Sequence, residues 1–108
     1  MQKVGFKLFL KDDASIEEYK KRHDEIWPEM LKLLDKAGIK NYSIWNSGRE
    51  LFGYYECENT EKADRVQSES DVVAKWNVHM EDLLVSKEDK EGNLVPVKES
   101  MELMFYKK

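Results

Sequence analysis

Tyr19 and His23 stand four residues apart, a spacing that puts both side chains on one helix face within reach of a common ligand. Both fall on a stripe of large side chains. His23 is therefore either a hydrogen-bonded core residue or an imidazole titrating in a partly dry pocket. Trp76 and Asn77 form a second pair, an aromatic face beside an amide. Once buried, that amide needs a partner, either a loop carbonyl or a ligand hydroxyl. Tyr42 shares a strand face with Ile44, and its hydroxyl serves either water or a ligand. Such a set suits a small polyhydroxylated molecule, because aromatic faces pack on C–H patches while His, Tyr and Asn bond hydroxyls. It also suits proton transfer without a cofactor.

Other chemistries find little support in the residues. Two histidines and one cysteine, without a His-x-x-x-His or paired-cysteine spacing, argue against a dedicated transition-metal site. A Gly-rich phosphate loop and a nucleophile elbow are both missing, so no cofactor is expected. His79 lies off the stripe formed by Val73, Trp76, Asn77 and Met80 and reads as a surface histidine. The runs Glu17-Glu18, Glu61-Lys62 and Lys87 through Glu91 read as solvated faces.

The elements that must position the candidates follow from periodicity. Val4, Phe6, Leu8 and Leu10 alternate with their neighbours, predicting a half-buried strand over residues 3 to 11. Ser15, three before Glu18, has capping-box spacing and predicts a helix from Ser15. Its stripe runs Ile16, Tyr19, His23, Ile26/Trp27, Met30 and Leu34 until Gly38. Pro28 must kink or break it around residues 24 to 28, freeing the Asp24 carbonyl beside His23. Ile39–Asn46 and Glu50–Glu58, joined by Asn46-Ser47-Gly48-Arg49, predict a hairpin. Asn59 or Thr60 caps a short helix to about Gln67, and Ser70 caps another carrying Trp76 and Asn77. Residues 85 to 98 read as an exposed loop, and Met101, Leu103 and Phe105, alternating with Glu102, Met104 and Tyr106, as a last strand.

The order β-α-β-β-α-β is that of an α+β, ferredoxin-like unit with helices on one face of an antiparallel sheet. Both strand faces carry large apolar groups, so the second face is expected to meet protein or ligand, and a dimer with two sheets face to face would provide this. The chain has 108 residues, 41% hydrophobic and 37% charged, which predicts one domain over residues 1–108. Its net charge of −4 with interspersed signs argues against a nucleic-acid partner. Apolar runs are too short to span a membrane. The lone Cys57 and the lack of a leader pattern predict a cytoplasmic protein.

Glu18-Tyr19-Lys20-Lys21-Arg22-His23-Asp24-Glu25-Ile26-Trp27-Pro28-Glu29-Met30, Asn41-Tyr42-Ser43-Ile44-Trp45, Trp76-Asn77-Val78-His79-Met80 and Phe105-Tyr106 resemble the L-rhamnose mutarotase family in composition, spacing and order. The Tyr-x-x-x-His-x-x-x-Trp-Pro segment is the most specific of these. The resemblance implies a ferredoxin-like protomer that forms a dimeric α/β barrel, a homodimer acting on the monosaccharide L-rhamnose. The implied reaction is cofactor-free interconversion of its α and β anomers. His23 is then the proton donor, and Tyr19, Tyr42 and the pair at 76–77 are substrate-binding. The family's second tryptophan is replaced here by Asn77, which turns an apolar wall polar. A non-catalytic sugar-binding or regulatory module on the same barrel is the alternative; a small oxygenase rests on fold analogy alone.

Overall fold

The strand β1 (Gln2–Phe9) is paired on both sides. In the computed structural model, which describes residues 1–108, it is followed by α1 (Ser15–Asp24), α2 (Pro28–Lys36), β2 (Lys40–Ser47), β3 (Glu50–Cys57), α3 (Thr60–Ser68) and α4 (Asp71–Met80). β4 (Ser86–Glu88), β5 (Leu94–Pro96) and β6 (Glu99–Met101) complete the chain's regular elements. The main sheet has the order β2-β3-β1-β6 with every pair antiparallel. This is the expected ferredoxin-like α+β arrangement.

Alternation decides which side chains meet the helices. Phe6, Leu51, Tyr55 and Cys57 are buried on the inner face, whereas Phe9, Phe52 and Tyr54 point to the outer face and stay half-buried. The Phe6 ring lies across Gly53, its register partner. A Cβ at Gly53 would come within 2.1 Å of that ring, so only glycine allows this approach. A bulge between Lys40 and Ser43 interrupts the β2–β3 pairing, and Asn41 occupies it with φ 52°. Asparagine tolerates this left-handed conformation better than other non-glycine residues. The extra residue resets the alternation, so Ile39 enters the core and Tyr42, three positions on, also faces inward against Phe6 and Tyr55.

Several expectations need correction. Ser15 is the first helical residue, not the cap; the Asp12 carboxylate accepts from both its backbone N–H and its hydroxyl, at 2.9 and 2.7 Å. Pro28, as expected, breaks the long helix, with α1 ending at Asp24. It takes the first position of α2, where a missing N–H costs nothing, and holds Trp27 extended at ψ 138°. Residues 85 to 98 are not a plain loop, because β4 and β5 pair as a short hairpin turned by Asp89, whose carboxylate accepts from the Glu91 and Asn93 amides. The last strand is shorter than predicted: β6 ends at Met101, and Leu103, Met104, Phe105 and Tyr106 are exposed. No further strand lies beside this segment within one chain. For the same reason the sheet is open, and the closed barrel expected of the fold is not formed by a single protomer.

Candidate functional site

Most of the buried side chains fall into two clusters. One gathers Leu10, Tyr19, Met30, Leu51, Trp76, Met80, Leu83 and Leu84; the other holds Phe6, Ala37, Ile39, Tyr55, Cys57 and Ala63. A cavity of about 520 Å³ is lined by Tyr19, His23, Tyr42, Ile44, Leu51 and Trp76 among others and reaches the edge strand at Trp45 and Asn46. Its size suits a small molecule, since such sites span roughly 300–1,000 Å³. A second space of about 280 Å³ shares Tyr19, His23, Tyr42 and Trp76 and adds Asn77, Val95, Pro96 and Lys98. The two spaces are lobes of one cleft between sheet and helices.

On the helix wall, His23 stacks on Tyr19 with ring centroids 4.3 Å apart and meets Trp76 edge-on at 5.3 Å. Its Nδ1 lies 3.1 Å from the Tyr19 carbonyl oxygen. Donation of an Nδ1 proton to that carbonyl leaves Nε2 as the free ring nitrogen. Burial lowers the His23 pKa from its ordinary value, partly opposed by the Tyr19 carbonyl and by Asp24. The imidazole is therefore mainly neutral near pH 7.

Tyr19 is buried, and its hydroxyl pKa is raised by burial with a smaller contribution from Tyr42. Tyr42 is 39% exposed as a residue, yet its phenol end is crowded enough by protein that desolvation, with Tyr55 adding to it, raises its pKa. Both tyrosines thus remain protonated and able to donate. No buried polar side-chain atom is sealed without a partner, and neither the Tyr19 hydroxyl nor the Trp76 indole N–H bonds to protein. Both open onto the cleft.

The break at Pro28 places Trp27 edge-on to Trp76 at 5.1 Å. His79 is exposed, as its flank position predicts, but its ring packs on Trp27 at 5.3 Å and Trp76 at 5.4 Å. Sequence reasoning thus missed a role for His79 in bracing the aromatic wall. Arg22 was missed as well. Its guanidinium forks onto the Asp82 carboxylate at 2.7 and 3.1 Å and donates to the His79 carbonyl at 2.5 Å, tying the end of α1 to the end of α4. The signal was available, since Arg22 immediately precedes His23 and sits off the apolar stripe.

All five sequence candidates, Tyr19, His23, Tyr42, Trp76 and Asn77, border this cleft; Asn77 lines only the second lobe. No group of His, Cys, Asp and Glu is arranged to hold a metal ion.

The L-rhamnose mutarotase family model matches residues 3–107. The L-rhamnose mutarotase of Listeria monocytogenes is 39% identical over 108 residues, covering 98% of each chain. Among solved structures, the L-rhamnose mutarotase of Formosa agariphila superposes with a TM-score of 0.82 at 26% identity, covering 100% of both chains. A dimeric ferredoxin-like protein from an uncultured marine organism superposes with a TM-score of 0.55 at 16% identity over 97% of both chains, a likeness of fold. With a family model matched over nearly its whole length, and a relative of this identity sharing its full span, the chain belongs to the L-rhamnose mutarotase family.

Proposed function

We propose that this chain interconverts the α and β anomers of L-rhamnose by acid–base catalysis at His23, without a cofactor. The observation that carries the reading is an imidazole whose Nδ1 lies 3.1 Å from the Tyr19 carbonyl oxygen and whose pKa burial lowers, leaving Nε2 to a cleft walled by Tyr19, Tyr42 and Trp76. In the resting form Nε2 accepts the proton of the anomeric hydroxyl. The C1–O1 bond becomes a carbonyl, the bond from C1 to the ring oxygen breaks, and the imidazolium gives its proton to that ring oxygen. One imidazole serves both atoms because both are bonded to C1. Rotation about C1–C2 and the reverse transfers close the ring on the other face of the aldehyde. Tyr19 and Tyr42 donate to sugar oxygens, and Trp76 packs on the ring's C–H face.

The experiment is anomeric exchange of L-rhamnose followed by proton NMR at equilibrium, with wild type and His23→Ala. Faster exchange, lost in the variant, is the expected result. Saturable binding without faster exchange would instead establish the sugar-binding module.

The proposal extends to a homodimer of one-domain protomers in the cytoplasm, built as a dimeric α/β barrel. The outer sheet face supports it: Phe9, Phe52 and Tyr54 are half-buried there and Trp45 is 70% exposed, a contiguous run of large apolar groups of the kind that marks a contact face. The unpartnered cysteine supports the compartment. No helix is long and apolar enough to cross a membrane.

A further inference from the structure

The second lobe carries polar groups that the reaction at His23 does not use. Lys98 immediately precedes β6, in which Ser100 is the register partner of inward-facing Phe6; alternation turns Lys98 to the same inner face. Although the residue as a whole remains exposed, its Nζ stands 4.5 Å from the centroid of the Phe6 ring, and Phe6 is only 4% exposed. None of the chain's ion pairs includes Lys98. Asn77 is half-buried and lines the same lobe, and its amide makes no protein hydrogen bond. No carboxylate borders this lobe, while at the first lobe Asp24 pairs with Lys20 at 2.9 Å.

We infer that Lys98 and Asn77 form a substituent-reading subsite that takes an anionic group on the sugar, a carboxylate or a sulfate or phosphate ester, and so admits charged sugars to the cleft. An ammonium and a neutral amide facing one space, with no acid between them, complement an oxyanion. The ammonium supplies charge and the amide N–H groups supply direction. Burial lowers the Lys98 pKa, opposed in part by Asp64, which acts from beyond ion-pair range. A bound anion would relieve that desolvated charge. This subsite rests on the reading of the cleft as a sugar site.

The test uses the full chain and measures anomeric exchange of L-rhamnose, L-mannose, L-mannuronate and the monosulfate and monophosphate esters of L-rhamnose, with calorimetric titration in parallel. Wild type, Lys98→Met and Lys98→Arg are compared. Wild type is expected to act on at least one anionic sugar; Lys98→Met then loses roughly tenfold to a hundredfold in kcat/KM or affinity for it, the scale of one charge-assisted hydrogen bond. L-Rhamnose stays within about twofold, and Lys98→Arg restores most of the loss. The carboxylate and ester arms identify which anion fits.

An inward lysine on an edge strand can also serve only to block edge-to-edge pairing. Greater self-association of Lys98→Met with unchanged sugar discrimination would overturn the subsite, as would wild type that neither turns over nor binds any anionic sugar. Failure to accelerate any sugar would sink the parent reading instead. The titrations would still decide the subsite, by whether an anionic sugar binds and loses affinity in Lys98→Met.

Discussion

His23 owes its reactivity to two neighbours, Tyr19 on its own helix and Trp76 on α4. The Tyr19 carbonyl fixes which ring nitrogen is free, and burial between the Tyr19 and Trp76 rings lowers the pKa and keeps the ring neutral. Acid–base assistance is worth about 10²–10⁴-fold, so His23→Ala is expected to lose that much exchange rate while remaining folded by circular dichroism. The lowered pKa also sets a pH profile. With the neutral imidazole as the active form, the rate should be full at neutrality and fall as pH drops, with a midpoint below the 6.5 of a free histidine. The unfolded chain binds this proton more readily than the folded one, so His23 also erodes stability as pH falls below about 6.5. An acid limb that persists in His23→Ala would remove the residue from this role. Asn77→Trp should tighten binding of L-rhamnose by closing the second lobe with an aromatic wall, which titration can measure. At this scale most of the cleft was legible, because spacing alone placed Tyr19, His23 and Trp76 on shared stripes. Lys98 was not, because Pro96 and the surrounding charges hide the inward register of a segment that reads as loop.

Elements bring these side chains together through irregularities more than through regular structure. The bulge at Asn41 turns Tyr42 inward, the break at Pro28 delivers Trp27 to the aromatic wall, and Gly53 lets Phe6 lie flat beneath Tyr42 and Tyr55. Gly53→Ala should therefore cost about 1–3 kcal/mol by overpacking, read as a lower urea midpoint, and should weaken sugar binding by displacing Phe6 against Tyr42. The Arg22 fork links α1 to α4; Arg22→Lys cannot reproduce two parallel bonds to Asp82. With Asp82 well exposed, the expected loss is only about 1 kcal/mol in urea unfolding. Element order and most boundaries were readable from periodicity and caps, Asn59 and Ser70 accepting from the Lys62 and Val73 amides as their positions predict. The bulge was not, since an alternating pattern shows no sign of one added residue; an asparagine just before an aromatic strand segment was its only trace. The Ser15-to-Glu18 spacing misled for a related reason, as Asp12 offers a charged acceptor one turn earlier.

The molecule as a whole leaves one sheet face without a cover. The β-α-β-β-α-β order was evident from sequence, and so were the large apolar groups on the second face, but the length of the last strand was not. Alternation in Met101, Leu103 and Phe105 shows what could pair, not whether a neighbour is present. If two copies meet through this face, Phe52→Glu should shift the protein from dimer to monomer in sedimentation velocity, a change a monomeric wild type could not show. The three tryptophans divide along the same line. Trp27 and Trp76 touch each other beside the cleft, while Trp45 stands on the opposite face of the sheet. Their indole emission therefore differs in what it reads: the Trp27–Trp76 pair reports occupancy of the cleft, while Trp45, at the rim of the cavity and 70% exposed, also responds to whatever covers the outer sheet face. Replacing Trp45 with phenylalanine isolates the first, so that ligand binding can be followed by light from the inner pair alone.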